Sequence, residues 1–525
     1  MPSDVLVTPR SARIRAAAGP VALRVAAAAA AGVLVHLAYP PRTVWWTAVL
    51  GFALLWWALR SRRVRAAAGL GLAYGLGFGL PHLWWIQNFL GREFGPFPWA
   101  GLALVMAVYT AVGCGLVPLV RRLPGAPLWA ALVFVGQEWV QSRFPLNGFP
   151  WDRVAFGQVD GPFLPLAAIG GAPLVSLVTV AAGFCLGSLL LALAGARGLP
   201  RGELRRAVPG AVVPLALVVL AVLVVPAPPT QPQNGTRTVG VVQPNAPDIG
   251  LQLLGAGRVL RANSLAETAA LAERIRTGQV PRPDLVVWPE SATPTYGVDP
   301  TIDAAVDALG VPVLVGAYLY NSDSGDDTEN AVVTWNPGAG PGERYAKQEL
   351  VPFAERIPLR PIASLVTPYV GLSDLRAGDR PGVLDVAGIR TAVGICYEVA
   401  YDRVLREGVA DGGQVLVVPT NNAWYGPGEM TYQQLGMARL RAVEHGRAAV
   451  VAALSGVSAV VRPDGTVAAS TDMYTATSMV EPVPLRTDLT VATRWGGWIE
   501  HGLAGAAVLA VVAGVLVLRR ERRRS

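Results

Sequence analysis

Cys396 sits in the stretch Gly394-Ile395-Cys396-Tyr397-Glu398, directly after an apolar run at 389–393 and shortly before another at 415–418. A cysteine where a buried strand turns out toward solvent is well placed to act as a nucleophile. Only the thiolate attacks well, so such a cysteine needs a base and a positive neighbour. Two other stretches offer them. Val286-Val287-Trp288-Pro289-Glu290 ends an apolar strand on a carboxylate, and Tyr345-Ala346-Lys347 offers an ammonium. Lys347 is the single lysine among 44 basic residues, the rest being arginine. Arginine is a planar fork that stays charged, whereas lysine is a compact charge whose pKa moves with burial. A chain that uses arginine everywhere else, and lysine once between two candidate reactive groups, places that lysine in the chemistry.

The elements that must position these groups differ in kind along the chain. Of the 525 residues 52% are hydrophobic and only 15% charged, too apolar for a purely soluble protein. Apolar runs long enough to cross a bilayer, about 20 residues each, fall at 20–39, 44–60, 67–90, 99–120, 126–141, 165–195, 207–227 and 500–518. The fifth is interrupted by Gln137 and Glu138, and the over-long sixth is divisible at Gly170-Gly171 into a shallow dip and a span. Since further spans follow the first, it is not a cleaved signal peptide. Arginine placement tests the count, because cytoplasmic loops collect Lys and Arg. Arg10/13/15, Arg60/62/63/65, Arg121/122, Arg197/201/205/206 and Arg519/520/522/523/524 fall in alternate connections, and the others carry only Arg42, Arg92, and Arg143 with Arg153. Both termini are then cytoplasmic and residues 228–498 lie on the outer face. The net charge of +8 is mostly this orientation signal. A nucleic-acid partner would need arginine clusters in the soluble part, and they are not there.

Residues 226–236 form a proline-rich linker. Beyond it the periodicity changes to short β-type runs at 238–242, 285–288, 311–317, 331–335, 390–395, 415–419, 450–454 and 459–462, with helical stretches at 258–277 and 432–445. Strands and helices alternate with hairpin-like pairs, which predicts an α/β sandwich. The expected organisation is a seven-helix membrane domain over 1–227, an extracytoplasmic domain over 228–498, and a final span with an arginine-rich tail over 499–525. Cys114 and Cys185 lie inside long apolar runs and read as small core residues. No metal-type Cys/His spacing is present, and no cofactor is expected.

Glu290, Lys347 and Cys396, in that order on an α/β chain, resemble the nitrilase superfamily. With seven spans before and one after, the chain resembles the apolipoprotein N-acyltransferase family. Further pieces carry the resemblance: Val242-Gln243-Pro244-Asn245, Trp288-Pro289-Glu290-Ser291, Lys347-Gln348-Glu349-Leu350-Val351-Pro352-Phe353-Ala354-Glu355, Cys396-Tyr397-Glu398, Asn421-Asn422-Ala423-Trp424-Tyr425-Gly426, and the stretch from Gln434 to Glu444. It covers nearly the whole chain and implies a nitrilase-like αββα sandwich inserted between transmembrane helices 7 and 8 of an eight-helix membrane domain. One departure stands out. Many members carry a Lys-Trp pair shortly after the first Gln-x-Asn, in a gating segment, and Ala246-Pro247-Asp248-Ile249-Gly250-Leu251 has neither residue.

The resemblance implies two half-reactions. Cys396 attacks an acyl ester of a phospholipid, and the thioester is then attacked by the α-amine of a diacylglyceryl-cysteine at the N-terminus of an apolipoprotein. Glu290 carries the protons, a role expected to need a carboxylate pKa raised by burial. Lys347 favours the thiolate and, with a backbone N–H near Tyr397, stabilises the oxyanion; one such donor is worth about 3–4 kcal/mol of barrier. The family places a second carboxylate at Glu355, to hold Lys347 or assist proton transfer. Tyr397 and Glu398 support the nucleophile. Trp424 walls the acyl pocket, while Trp84, Trp85 and Trp151 line a lipid-facing mouth or serve as an interfacial aromatic belt. Arg439, Arg441 and Glu444 read as salt bridges within the domain. The implied partners are a phospholipid, a diacylglyceryl apolipoprotein and the bilayer of a bacterial cell membrane, with the enzyme a monomer. Two other readings use the same residues differently: a membrane-tethered amidase in which water replaces the amine, and a lipid-binding or transport scaffold without catalysis.

Overall fold

The β-rich half owes its layering to strands whose side chains alternate between two cores. In the computed structural model, which describes residues 10–60, 63–195, 201–322, 327–364 and 374–524, Leu285 and Val287 point into one hydrophobic cluster while Val286 and Trp288 point into another. Leu314 likewise faces the first cluster, with Val313 and Val315 facing the second. This period-two alternation is what a strand covered on both faces requires.

Eight helices precede the strands among the described residues: α1 (Arg10–His36), α2 (Trp46–Ala58), α3 (Val64–His82), α4 (Trp85–Phe94), α5 (Phe97–Val120), α6 (Ala126–Gln141), α7 (Ala167–Gly195) and α8 (Arg201–Val224). The β-rich half follows with β1 (Thr236–Gln243), α9 (Gly257–Arg276), β2 (Leu285–Val287), β3 (Thr293–Thr295), α10 (Pro300–Leu309), β4 (Val313–Tyr320), β5 (Thr328–Asn336) and β6 (Gly340–Ala346). After the one-turn α11 (Arg360–Ala363) come β7 (Val383–Val386), β8 (Ile389–Val393), α12 (Asp402–Ala410), β9 (Val415–Thr420), α13 (Met430–His445), β10 (Ala449–Ala453), β11 (Ala459–Val461), β12 (Val467–Ser470) and β13 (Thr477–Pro484). The last helix is α14 (Val491–Arg524).

One sheet runs β13-β1-β2-β4-β5-β6, with β3 beside β4, and the other runs β12-β11-β10-β9-β8-β7. The central strands are parallel within each sheet, β2 between β1 and β4, and β9 between β8 and β10, whereas β5 and β6 at one edge run antiparallel. Their inner faces meet in one cluster holding Val241, Val287, Leu314, Val393 and Val417. Helices α9 and α10 cover one outer face and α12 and α13 the other. The start of α10 shows how locally the elements are specified. The Asp299 side chain accepts from the Thr301 and Ile302 N–H groups, 3.0 and 3.3 Å away, Pro300 occupies the first turn, and Gly310 ends the helix in the left-handed conformation.

Among the described residues three helical regions are long and apolar enough to cross a membrane: Phe97–Val120, Leu164–Ala194 and Val491–Arg524; shorter apolar helices are Pro20–His36, Trp46–Ala58 and Val212–Val224. Large apolar side chains face outward from α5 (Val105, Val108, Val112), α8 (Leu217, Leu220, Leu223) and α14 (Val508, Leu509, Val512). Two expected spans are reshaped. The run at 67–90 is not one helix: α3 stops at His82 and α4 starts at Trp85. The β-rich half supplies a partner at the break: the His82 carbonyl accepts from Gln433 Nε2 at 3.2 Å. The run at 165–195 is divided where expected, with Gly171 at a φ of +66° beside a non-helical Gly170. Of the expected cytoplasmic arginines, Arg62 and Arg197 lie outside the described residues.

Candidate active site

Three strand ends deliver the reactive groups. Glu290 follows β2, Lys347 follows β6, and Cys396 follows β8 across Gly394 and Ile395. Cys396 has a φ of +52° and begins a 3-10 turn over Cys396–Ala400. A non-glycine residue in that region costs roughly 1–3 kcal/mol and persists only where its surroundings hold it. Glu398 does the holding. Its Oε2 accepts from Ile395 N at 2.7 Å; its Oε1 accepts from Gln348 N at 2.7 Å and Glu349 N at 3.1 Å; Tyr345 Oη donates to both oxygens, at 2.9 and 3.0 Å. One buried carboxyl therefore ties the cysteine turn to the segment just after Lys347. Burial pushes the Glu398 carboxyl up to about 7, against the pull of those backbone N–H groups and Lys347.

The centre is dry and charged. Lys347 is 1% exposed, and its Nζ lies 2.9 Å from Glu290 Oε1 and 3.0 Å from Glu355. Asn330, on β5, donates from one nitrogen to both carboxylates: 2.7 Å to Glu290 and 2.6 Å to Glu355. The other Glu290 oxygen accepts from the Asn421 N–H at 2.9 Å, and Glu355 Oε2 accepts from Val351 N at 2.8 Å. Glu290 and the Cys396 thiol are close enough for each to shift the other's titration. The sequence-selected Glu290, Lys347, Cys396 and Glu355 thus share one cluster.

The electrostatics depart from the expectation. Burial pushes Glu290 up, but the Lys347 ammonium outweighs it and holds the carboxyl below the usual carboxylate range rather than above it. Burial pushes Lys347 down, and the Glu290 and Glu355 carboxylates more than restore it, leaving it well above the ordinary lysine value. For Cys396, burial and Glu290 outweigh Lys347 and push the thiol up to about 12. The resting state is therefore a carboxylate beside a neutral thiol, not a preformed thiolate. This arrangement can take the thiol proton during attack, and it offers Lys347 to charge that develops afterwards.

The aromatic residues connect this centre to the helical half. Tyr397, next to the cysteine, stacks at 6.2 Å and 17° on Trp151. Trp151 lies 5.4 Å from Trp85, and Trp85 lies 4.9 Å from Tyr425. Phe89 of α4 meets both Tyr425 (5.3 Å) and Trp424 (5.9 Å). Trp84 stands apart, about half exposed and edge-on to Trp99. Arg441 pairs with Glu444 within α13, as expected, but Arg439 does not stay within the domain: it reaches Asp160 at 2.5 Å, in the connection before α7. Asn330, Thr420 and Gln434 touch the cluster, and no role for them was drawn from the sequence. The only signal was a polar residue beside each quoted or apolar stretch, and a hydrogen bond across sheets leaves no trace in local periodicity. Among the described residues no group of three or more His, Cys, Asp or Glu could hold a metal ion.

Residues 31–185 match the family described as apolipoprotein N-acyltransferase N-terminal domain, and residues 238–485 match carbon-nitrogen hydrolase. An apolipoprotein N-acyltransferase of Mycolicibacterium smegmatis is 37% identical over 95% of this chain and 87% of its own length. Those of Azotobacter vinelandii and Ralstonia nicotianae are 32% and 33% identical, each over 95% of this chain and over 95% and 94% of their own lengths. Identity at this level across almost the entire chain, together with both matched regions in order, makes this protein a member of the apolipoprotein N-acyltransferase family, enzymes built on the nitrilase-like carbon-nitrogen hydrolase fold.

Proposed function

We propose that this chain transfers a fatty acyl group from a phospholipid, through a thioester on Cys396, to the α-amine of the diacylglyceryl-cysteine that begins an apolipoprotein. The observation that carries the proposal is the single cluster of Glu290, Lys347 and Cys396, closed off from water. In the first half-reaction Sγ attacks the ester carbonyl carbon as its proton passes to Glu290. Lys347 stabilises the oxyanion with a backbone N–H near Tyr397, and Glu290 returns the proton to the leaving lysophospholipid alcohol. In the second, the amine attacks the thioester, which is reactive toward amines. Glu355 and Asn330 hold Lys347 and Glu290 at fixed separation, and Glu398 holds the cysteine turn.

The outward apolar side chains of α5, α8 and α14 and the long apolar helices support a membrane enzyme; the arginine placement supports eight spans, boundaries at 1–227, 228–498 and 499–525, and both termini cytoplasmic. Its catalytic domain would face outward from a bacterial cell membrane, acting as a monomer. Trp85, Trp151 and Trp424 would shape the acyl path, with Trp84 at its lipid edge. The test is mass detection of an acyl adduct on Cys396 after incubation with labelled phospholipid, followed by addition of a diacylglyceryl peptide. An N-acyl peptide is the expected product. Free fatty acid with no N-acyl peptide would instead mean an amidase-like hydrolase, and no adduct at all would end the proposal.

A further inference from the structure

The sulfur of Cys396 has partners beyond Glu290 and Lys347. Thr420, the last residue of β9, sets Oγ1 3.2 Å from Sγ, and Gln434 of α13 sets Nε2 3.5 Å from it. Both residues are almost fully buried. The orientation of the Gln434 amide follows from a hydrogen-bond relay that starts at a backbone group. Val457 N–H can only donate, and it donates to Thr431 Oγ1 at 2.9 Å. The Thr431 hydroxyl then donates to Asn422 Oδ1 at 3.3 Å. That leaves Asn422 Nδ2 to donate to Gln434 Oε1 at 2.7 Å, which turns the Gln434 NH2 group onto the sulfur. Reversing the Gln434 amide alone would set its NH2 group against that of Asn422, and reversing Asn422 alone would set carbonyl oxygen against carbonyl oxygen. Gly456 makes room for this relay: a Cβ there would fall 2.3 Å from Asn422 Oδ1 and 2.5 Å from Thr431 Oγ1.

Thr420 adds a movable hydrogen. Its hydroxyl has two acceptors within reach, Gln434 Oε1 at 2.7 Å and Sγ at 3.2 Å, and one proton to give. A thiol or thioester sulfur is a weak acceptor, so the proton rests on the amide oxygen. A sulfur anion is a strong one. When charge arrives on sulfur the hydroxyl can turn to it, and Gln434 Oε1 keeps its bond from Asn422.

We propose that Thr420 and Gln434 are catalytic residues forming a two-donor cradle for the sulfur anion, and that the cradle acts most when the thiolate departs from the thioester. The direction of that step rests on the acyl-transfer reading above. The amine nitrogen attacks the thioester carbonyl carbon, a C–N bond forms, and the C–S bond breaks with its electron pair going to Sγ. The extra amine proton passes to Glu290 and from there to Sγ, which restores the thiol. Donors used only while sulfur is charged lower the barrier without tightening the ground state. Asn422 and Thr431 are positioning residues that aim Gln434.

The test uses the full chain in detergent and two measurements. One is the rate of Cys396 alkylation by iodoacetamide against pH, followed by mass. The other is single-turnover transfer from preformed acyl-enzyme to a diacylglyceryl peptide. Thr420→Val and Gln434→Leu should each lower alkylation about tenfold at a given pH, one unit of thiol pKa, and slow transfer about a hundredfold. Thr420→Ser should restore both. Native alkylation profiles in both variants, or a Thr420→Val defect that Thr420→Ser leaves in place, would overturn the proposal. If Thr420→Val does not fold, Gln434→Leu on a separate element decides the matter alone. Alkylation needs no lipid, so a shifted profile in a protein that transfers no acyl chain would keep the cradle and remove the acyl-transfer reading.

Discussion

Lys347 is held by two carboxylates that approach from different segments, at 2.9 and 3.0 Å, with 1% of its surface exposed. A point charge fits between them, whereas a planar guanidinium needs two parallel contacts and more volume. Lys347→Arg should therefore keep the charge and still lose about 3 kcal/mol of transition-state stabilisation, or roughly a hundredfold in acyl-enzyme formation. A near-native rate of adduct formation in that variant would show that charge alone suffices. The pH dependence follows from the same contacts. Acylation needs Glu290 ionised, and its pKa lies below the usual range, so the activity that depends on it is present above that depressed value and disappears only as pH falls through it. On the alkaline side burial and Glu290 push the Cys396 thiol up to about 12, so no gain is expected through the ordinary thiol range near about 8.5. Single-turnover adduct formation should therefore show no rise centred near the ordinary thiol value, and any step near neutral pH belongs to the Glu398 carboxyl that anchors the turn. A rise centred near the ordinary thiol value would mean that the thiol ionises by itself before attack.

Among the elements, the cysteine turn depends most on one residue. Four donors converge on the two oxygens of Glu398, three of them backbone N–H groups that cannot reverse. Glu398→Gln would turn an NH2 group onto at least one of them, and leaving a buried donor unsatisfied costs about 1–3 kcal/mol. That variant should melt lower in detergent and form adduct more slowly, because the +52° φ at Cys396 loses its anchor. An unchanged melting temperature would show that the turn holds itself. Most strands around the site were legible because they lie inside their sheets and carry an apolar run, as β1, β2, β4, β8 and β9 do; β6, which delivers Lys347, is the exception. The strands without that signal lie at or near sheet edges. β6 reads GPGERYA, and β13 carries Pro482 and Pro484, which an edge tolerates and a central ladder does not. Residue types named Glu290, Lys347 and Cys396, but the directions of their pKa shifts were not readable. Those signs depend on Lys347 standing 2.9 Å from Glu290, a distance set by β2 and β6, which lie in the same sheet but are not neighbours.

Across the whole molecule, α13 is one element at which the two halves meet. Glu429, just before it, pairs with Arg42 through two 2.7 Å contacts. Gln433 accepts from Trp151 Nε1 at 2.7 Å and donates to the His82 carbonyl. Arg439 reaches Asp160. The next residue after Gln433 is the one that faces the sulfur, so one rigid element joins contacts to the helical half with a contact to the reactive centre. Trp85 sits on another route, between Trp151 and Tyr425. If this aromatic chain guides an acyl tail from the bilayer, Trp85→Ala should raise the apparent KM for phospholipid about tenfold, the scale of about 1.4 kcal/mol expected from losing part of a buried aromatic contact. Acylation of Cys396 by a short water-soluble ester should stay within about twofold, since that donor needs no path through the helices. Trp84→Ala, at the exposed edge, should raise KM less. Equal loss with both donors would place Trp85 in the support of the centre rather than in the route to it, and the helical half would then anchor the enzyme without guiding its substrate.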